Sequence, residues 1–414
     1  MTTTREDRNS RLSSNERAVA VGIAVGTGLA LASRYLVQRA QRGNEQGLVD
    51  WARVEQIAVA RLAAAPGSLS AWELRAADAD YSRAMATAIP LLEQHLGRPL
   101  PGVVERHEVV DRQGWVRANL VTFEQIIGRL EPHIQSAAGD RGVASGLARA
   151  ANRFLTTQQL GFLLGYLGTR VLGQYDIALL SAEAAPGKLL FVEENIRATA
   201  VNLGISPSDF RTWIVFHEAT HAFEFEANSW LRPYVRERLE QQLAGVLDQA
   251  RELQAGGFGA FVERVREARE NPLMALLTPE QRRQFEEMQR VMSLLEGFSD
   301  WVMDEVGAQV LPDVRMIRDR FETRRSQRRG PLDRLVARLT GLDMKLEQYR
   351  RGERFVSGVA AAGGRPAIDA LWSGPWALPS DAELADPPSW VRRVVQPPML
   401  SAGGIGSATP VADN

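Results

Sequence analysis

The sequence predicts a mainly α-helical protein with a single short β element, and three observations carry that expectation. Apolar residues recur at three- and four-residue intervals along most of the chain. Clear loop-forming clusters are few, GRPLPG at 97–102 being the plainest. Strand-like runs stand out at one place, DIALLS (176–181) and KLLFV (188–192), joined by the turn segment AEAAPG. Two strands alone are marginal, so this hairpin or short sheet is expected to lie against helices.

Taken in chain order, residues 1–16 read as a disordered leader and 17–44 as a helical extension. The uncharged stretch from Ala18 to Ser33 has sixteen residues rich in Ala and Gly, short of the roughly 20 apolar residues that span a bilayer. The polar leader is a poor signal-peptide start, so an amphipathic or buried helix is expected ahead of a membrane anchor. Residues 45–394 read as one domain, with a helical part over 45–205 and a second part over 206–394. Helical patterns cover 49–64, 70–97, 121–135 and the glycine-spaced 158–173, where small residues let helices approach closely. A long helical pattern after residue 217 is expected to bend at Pro233. Residues 395–414 read as a disordered tail.

Composition bounds the function. A formal net charge of -1 over 414 residues supplies no global attraction to nucleic acid or an anionic membrane. The arginine-dense stretch 315–330 is interrupted by Asp319 and Glu322 and reads as a solvated segment, not a nucleic-acid surface. There is no cysteine, which removes disulfides and thiolate sites and fits a reducing, cytoplasmic setting. Any zinc site must therefore draw on carboxylates and the five histidines.

Two of those histidines carry the chemistry. Residues 217–221 read His-Glu-Ala-Thr-His, the H-E-x-x-H pattern. Ser206 stands as an N-cap, Pro207 at the first helical position and Asp209 in the first turn, so the motif is expected on a helix. Residues four apart on a helix lie about 6 Å from each other on one face, which aims His217 and His221 at one Zn2+ ion. Glu218, one position round, is placed to act as general base. The bland alternative is a pair of core histidines on an aromatic-rich helix holding Trp213, Phe216, Phe223 and Phe225. Glu224 lies seven residues from His217, about 10.5 Å along the axis, too far to close a site with it. Glu296 and Asp300, four apart in MSLLEGFSDWVMDEVG, are the candidates for third ligand and for acceptor of an imidazole N–H. Against them, Gln289, Ser293, Glu296, Asp300 and Asp304 also form the polar stripe of an ordinary surface helix. The mid-helix Gly297 points to close packing with another element.

The runs VVDRQGWVRANLVTF, LGTRVLGQYDIALL, FVEENI, DFRTWIVFHEATHAFEFEANSWLRPY, LLEGFSDWVMDEV, KLEQYRRGERF and PSWVRRV resemble, in order, a bacterial family of zinc-dependent metalloproteases. Some members of that family are associated with deazaflavin-coenzyme biosynthesis. The likeness covers about residues 48–394 and implies a zincin-like, mainly helical metallohydrolase domain. It implies a two-histidine, one-glutamate site with Glu296 as third ligand, and no particular substrate beyond a peptide or small amide. Tyr349, with Lys345 behind it, is the candidate for stabilising the oxyanion, and the KLLFV strand is a candidate for pairing with an extended peptide. The competing reading is a non-catalytic protein in which a zinc closed by four protein ligands ties two helices together.

Overall fold

The structure, a computed structural model, describes residues 47–100, 102–137, 143–176, 187–242, 278–327 and 345–396. The leader, the N-terminal extension, the tail and the turn of the expected hairpin lie outside the described residues. Among the described residues no helix is long and apolar enough to cross a membrane.

In chain order the elements are α1 (Trp51–Ala63), α2 (Ala71–Leu96), β1 (His107–Val110), α3 (Arg112–Ala137), α4 (Val143–Gly168), β2 (Gly173–Asp176), β3 (Lys188–Val192), α5 (Glu193–Leu203) and α6 (Pro207–Ala227). Then come α7, described over 231–242, α8 (Pro279–Gly307), α9 (Val314–Gln327), α10 (Lys345–Ala370), α11 (Asp381–Ala385) and α12 (Pro387–Val394). The chain divides into two compact units, Met1–Ala64 with Phe123–Tyr166, and Ala65–Thr122 with Leu167–Asn414.

In the first unit, α1 starts at Asp50, whose carboxylate accepts the Arg53 N–H at 3.0 Å, a standard use of an N-cap aspartate. The glycine spacing of the sequence acquires its meaning here. A methyl group on Gly161 would lie 2.7 Å from Ile57 Cβ, and one on Gly165 would lie 3.1 Å from the Ala58 carbonyl, so α1 and α4 meet almost backbone to backbone.

In the second unit the sheet has three strands in the order β1-β3-β2. The expected hairpin is present, but its first strand lies at Gly173–Asp176, three residues earlier than the sequence suggested, antiparallel to β3 with Gly173 opposite Phe191. The third strand, β1, pairs parallel to β3 with Val110 opposite Val192. A four-residue strand whose partner lies some eighty positions away leaves little local signal, because parallel pairing needs a long crossover. As the central strand, β3 buries Leu189, Leu190, Phe191 and Val192, which explains its unbroken apolar run. It has a neighbour on each side, so KLLFV has no free edge for a peptide, contrary to the expectation above. Among the described residues the two outer edges belong to β1 and β2.

Helix α6 crosses the centre of this unit. Phe210, Ile214, Val215 and Phe216 are buried on it, and Phe191 of β3 stacks on Tyr81 of α2 with ring centroids 4.5 Å apart. The helix ends at Ala227, before Pro233, because the Asn228 side chain donates to the Glu224 carbonyl at 2.8 Å and closes the last turn. Pro233 falls in the first turn of α7, where its missing N–H is not needed.

Helix α8 begins with a reciprocal cap between Thr278 and Gln281 and is set by its crossing with α10. A methyl group on Gly297 would lie 2.2 Å from the Gly352 carbonyl carbon, and one on Gly352 only 1.8 Å from the Ser293 carbonyl oxygen. The sequence's mid-helix glycine is thus a backbone-to-backbone contact. We expect Gly297→Ala to lower unfolding free energy by about 3 kcal/mol, read as a lower denaturant midpoint at an unchanged slope; a loss under about 0.5 kcal/mol, the scale of a neutral surface change, would contradict this packing.

Candidate metal centre

One face of α6 and one face of α8 bring three donor atoms together. The Nε2 atoms of His217 and His221 lie 3.3 Å apart, with ring planes at 80°. Oε2 of Glu296 lies 3.7 Å from His217 Nε2, and the three donor atoms all fall within 4.8 Å of one another. Tetrahedral ligation at 2.0–2.1 Å separates ligand atoms by about 3.3 Å, a spacing the two histidines already have, so small side-chain shifts bring all three donors onto one small cation. All three are partly exposed, which leaves the ion and a water molecule a route in.

Both imidazoles are held from behind. The Ser299 hydroxyl lies 3.1 Å from His217 Nδ1 and 3.3 Å from the His217 carbonyl oxygen. It donates to that carbonyl, so it accepts from Nδ1–H. Trp213, one turn earlier, lies nearly parallel to the same ring at 8°. His221 Nδ1 meets Glu224 Oε2 at 2.7 Å, and Glu224 is 0% exposed. With both Nδ1 atoms protonated, both Nε2 lone pairs face the shared point.

Asp300 does not hold an imidazole. Its carboxylate lies 3.6 Å from Arg318 NH2, and the same guanidinium meets Asp304 at 2.5 Å, Glu322 at 3.2 Å and Glu353. Burial pushes Asp300 up to about 7, with Arg318 opposing. The reason for the correction is angular. On a helix of 3.6 residues per turn, position i+4 lies about 40° to one side of i and i+3 about 60° to the other. From Glu296 the imidazole lies on the i+3 side, so Ser299 takes the role. Glu224 was missed for a related reason: judged as a ligand of the ion it is too far along the axis, but three residues after His221 it reaches the back of that ring. Two arginines of the arginine-dense segment are likewise occupied within the fold, Arg318 by its acids and Arg320 of α9 by the carbonyls of Leu203 and Gly204, both at 3.0 Å. Tyr349 and Lys345 lie on α10, Tyr349 within one turn of Gly352; their side chains are outside the described residues.

Glu218 is 6% exposed and faces β2. Burial pushes its carboxyl up to about 7, with His221 pulling it down, Glu296 pushing it further up and the Tyr175 main-chain N–H pulling it down. Burial likewise raises Glu224 to about 7. For His221 burial disfavours the charged form, but Glu224, Glu296 and Glu218 outweigh it and lift the group to about 10. Three carboxylates around two imidazoles make this a place that favours positive charge.

A family model described as "Zincin-like metallopeptidase" matches residues 49–391. A crystal structure from Chloroflexus aurantiacus, described as "a putative hydrolase with a novel fold", is similar with a TM-score of 0.60 and 38% identity, over 84% of this chain and 99% of that one. No curated protein matches the chain.

If Glu224 fixes the His221 ring, Glu224→Gln lowers metal affinity by about 10–100-fold, the usual cost of losing such a partner, and Ser299→Ala acts in the same direction. Competition against a chelator of known affinity measures both, and unchanged affinity in Glu224→Gln would remove that carboxylate from the metal centre.

Proposed function

The chain belongs to the zincin-like metallopeptidase family, and on that premise we propose that it is a zinc-dependent hydrolase cleaving peptide amide bonds, with His217, His221 and Glu296 holding the ion and Glu218 as general base. The observation that carries this reading is the 3.3 Å separation of two Nε2 atoms with Glu296 closing the third side. A zinc ion bound there polarises a carbonyl and lowers the pKa of water.

The chain's own residues supply the rest. Glu218 accepts the proton of the attacking water at its carboxylate and returns it to the leaving nitrogen. Its burial supports this, because a base that must give its proton back works best with a pKa near the working pH. Ser299 and Glu224 keep the imidazoles in one tautomer and orientation. The outer edge of β2 bounds the site beside Glu218. In an antiparallel ladder a residue sends its N–H and C=O to the same side, and Tyr175 directs its N–H at Glu218, so Gly173 and Tyr175 present main-chain groups away from β3. An extended peptide can align there by strand addition, which favours a peptide over a compact amide. Tyr349 is the candidate for the oxyanion, on the grounds that its helix crosses α8 beside Glu296.

A purely structural zinc site is usually closed by four protein ligands; the cluster holds three among the described residues, each partly exposed. The link to deazaflavin-coenzyme biosynthesis rests on the sequence resemblance alone. The cysteine-free composition supports a cytoplasmic place of action.

Glu218→Gln tests the mechanism. It is expected to retain one zinc per chain, measured by elemental analysis, while its turnover of dye-quenched casein falls by at least about a thousandfold, in line with losing a base that acts in both proton transfers. His221→Ala, by contrast, is expected to lose the metal. Full activity in Glu218→Gln, or metal-free wild-type protein after purification in zinc, would overturn the proposal.

A further inference from the structure

The strand beside the general base contains a glycine that its backbone conformation does not require. Gly173 is not among the residues with positive φ, and glycine inside a strand weakens it, so some other demand accounts for it. That demand is visible in its surroundings. A methyl group on Gly173 would lie 2.6 Å from Glu218 Oε1, 2.8 Å from Cδ and 2.8 Å from Cγ; all three nearest atoms belong to the one side chain. Real Cβ atoms essentially never approach a neighbour so closely.

We propose that Gly173 is a positioning residue for Glu218: the missing side chain at this one place on β2 is what lets the carboxylate seat against the strand, beside the Tyr175 N–H and on the helix whose histidines would hold the ion. This inference rests on the hydrolase reading and adds to it a second determinant of where the base stands.

Which side would yield to an added methyl group follows from how each is held. Strand β2 is tied on three sides. It pairs along its length with β3. Gln174 accepts from Trp115 Nε1 at 2.8 Å and donates to Asn119 Oδ1 at 3.2 Å. The Tyr175 hydroxyl donates to Glu226 at 2.7 Å and accepts the Gly187 N–H at 3.1 Å. The crowded Glu218 atoms, Cγ, Cδ and Oε1, belong to a rotatable side chain on a helix fixed by its core contacts. The carboxylate therefore moves and the strand stays. None of the three atoms crowded by the methyl group belongs to His217, His221 or Glu296, so the metal centre is left as it is. The signature is unusual: a substitution with little cost in stability and none in metal content that displaces the base.

The test is Gly173→Ala in the zinc-loaded full chain, alone and combined with Glu218→Gln. A crystal structure of the single variant is expected to show the Glu218 carboxylate displaced by about 1 Å or more with His217, His221 and Glu296 in place, and elemental analysis to show one zinc per chain. With dye-quenched casein, kcat should fall by about 100-fold, the scale set by an ångström of misplacement, at a KM close to wild type. In the Glu218→Gln background the same substitution should cost nothing further, because its effect passes through the carboxylate. The proposal is overturned if the carboxylate keeps its place, if it moves while kcat is unchanged, or if Gly173→Ala costs the same factor with and without Glu218. If wild-type protein leaves casein intact, the peptidase reading fails on that substrate and the crystal structure still decides where Gly173 places the base.

Discussion

Everything in the metal centre depends on a contact that contains no metal ligand, the meeting of Gly297 and Gly352. Glu296 reaches the histidines only if α8 lies at a particular depth and rotation against α6, and the glycine pair lets α10 press α8 there with backbone touching backbone. Helix packing normally keeps axes 8–10 Å apart because side chains intervene. Removing them on both helices at one level fixes the crossing more tightly than interdigitated apolar groups do. Phe298 and Leu294, flanking Glu296 and buried on the same helix, then lock its rotation, so the carboxylate faces His217 of α6.

Electrostatics explains why such exact placement is needed. Glu218, Glu224 and Glu296 share a small volume with two imidazoles, and burial drives the carboxyls of Glu218 and Glu224 towards protonation. The arrangement favours positive charge at this point. Two of these acids lie outside the proposed ligand set: Glu224 faces the back of a ring, and Glu218 stands one position round the helix from His217. A metal site assembled this way carries its own excess negative charge, and the layer behind the ligands must be as well placed as the ligands themselves.

The legible part of this molecule was what short-range spacing encodes. The helix bearing residues 217–221, its start at Pro207, the two histidines on one face and the close packing at Gly297 all follow from intervals of one to four residues. The third donor needed more, since nothing local links Glu296 to His221; the candidate came from pattern, and the family resemblance singled it out. What was not legible depends on pairing across long separations or on small angles. Strand β1 was invisible because its partner is far along the chain, and β2 was placed three residues late because its true start, at Gly173, is a residue that strand propensity disfavours. Asp300 and Ser299 differ by a single residue, and only the direction from which α6 approaches α8 decides between them.

The polar stripe on α8 shows how one periodicity can hide two environments. Residues Glu296, Asp300 and Asp304 recur every four positions, yet each step turns the side chain by about 40°. Over two steps the stripe rotates from α6 to α9, so its first member faces the histidines and its last faces Arg318. A surface helix would leave those acids in water. Here Arg318, only 12% exposed on its side chain, gathers Asp300, Asp304, Glu322 and Glu353. Removing one partner of a buried charge network costs more than the network gains over apolar packing, so its value is as a constraint: α9 can sit against α8 and α10 in the one register that brings this guanidinium to all four acids. Helix α8 thereby faces the histidines on one flank and the permanent cation Arg318 of α9 on the other.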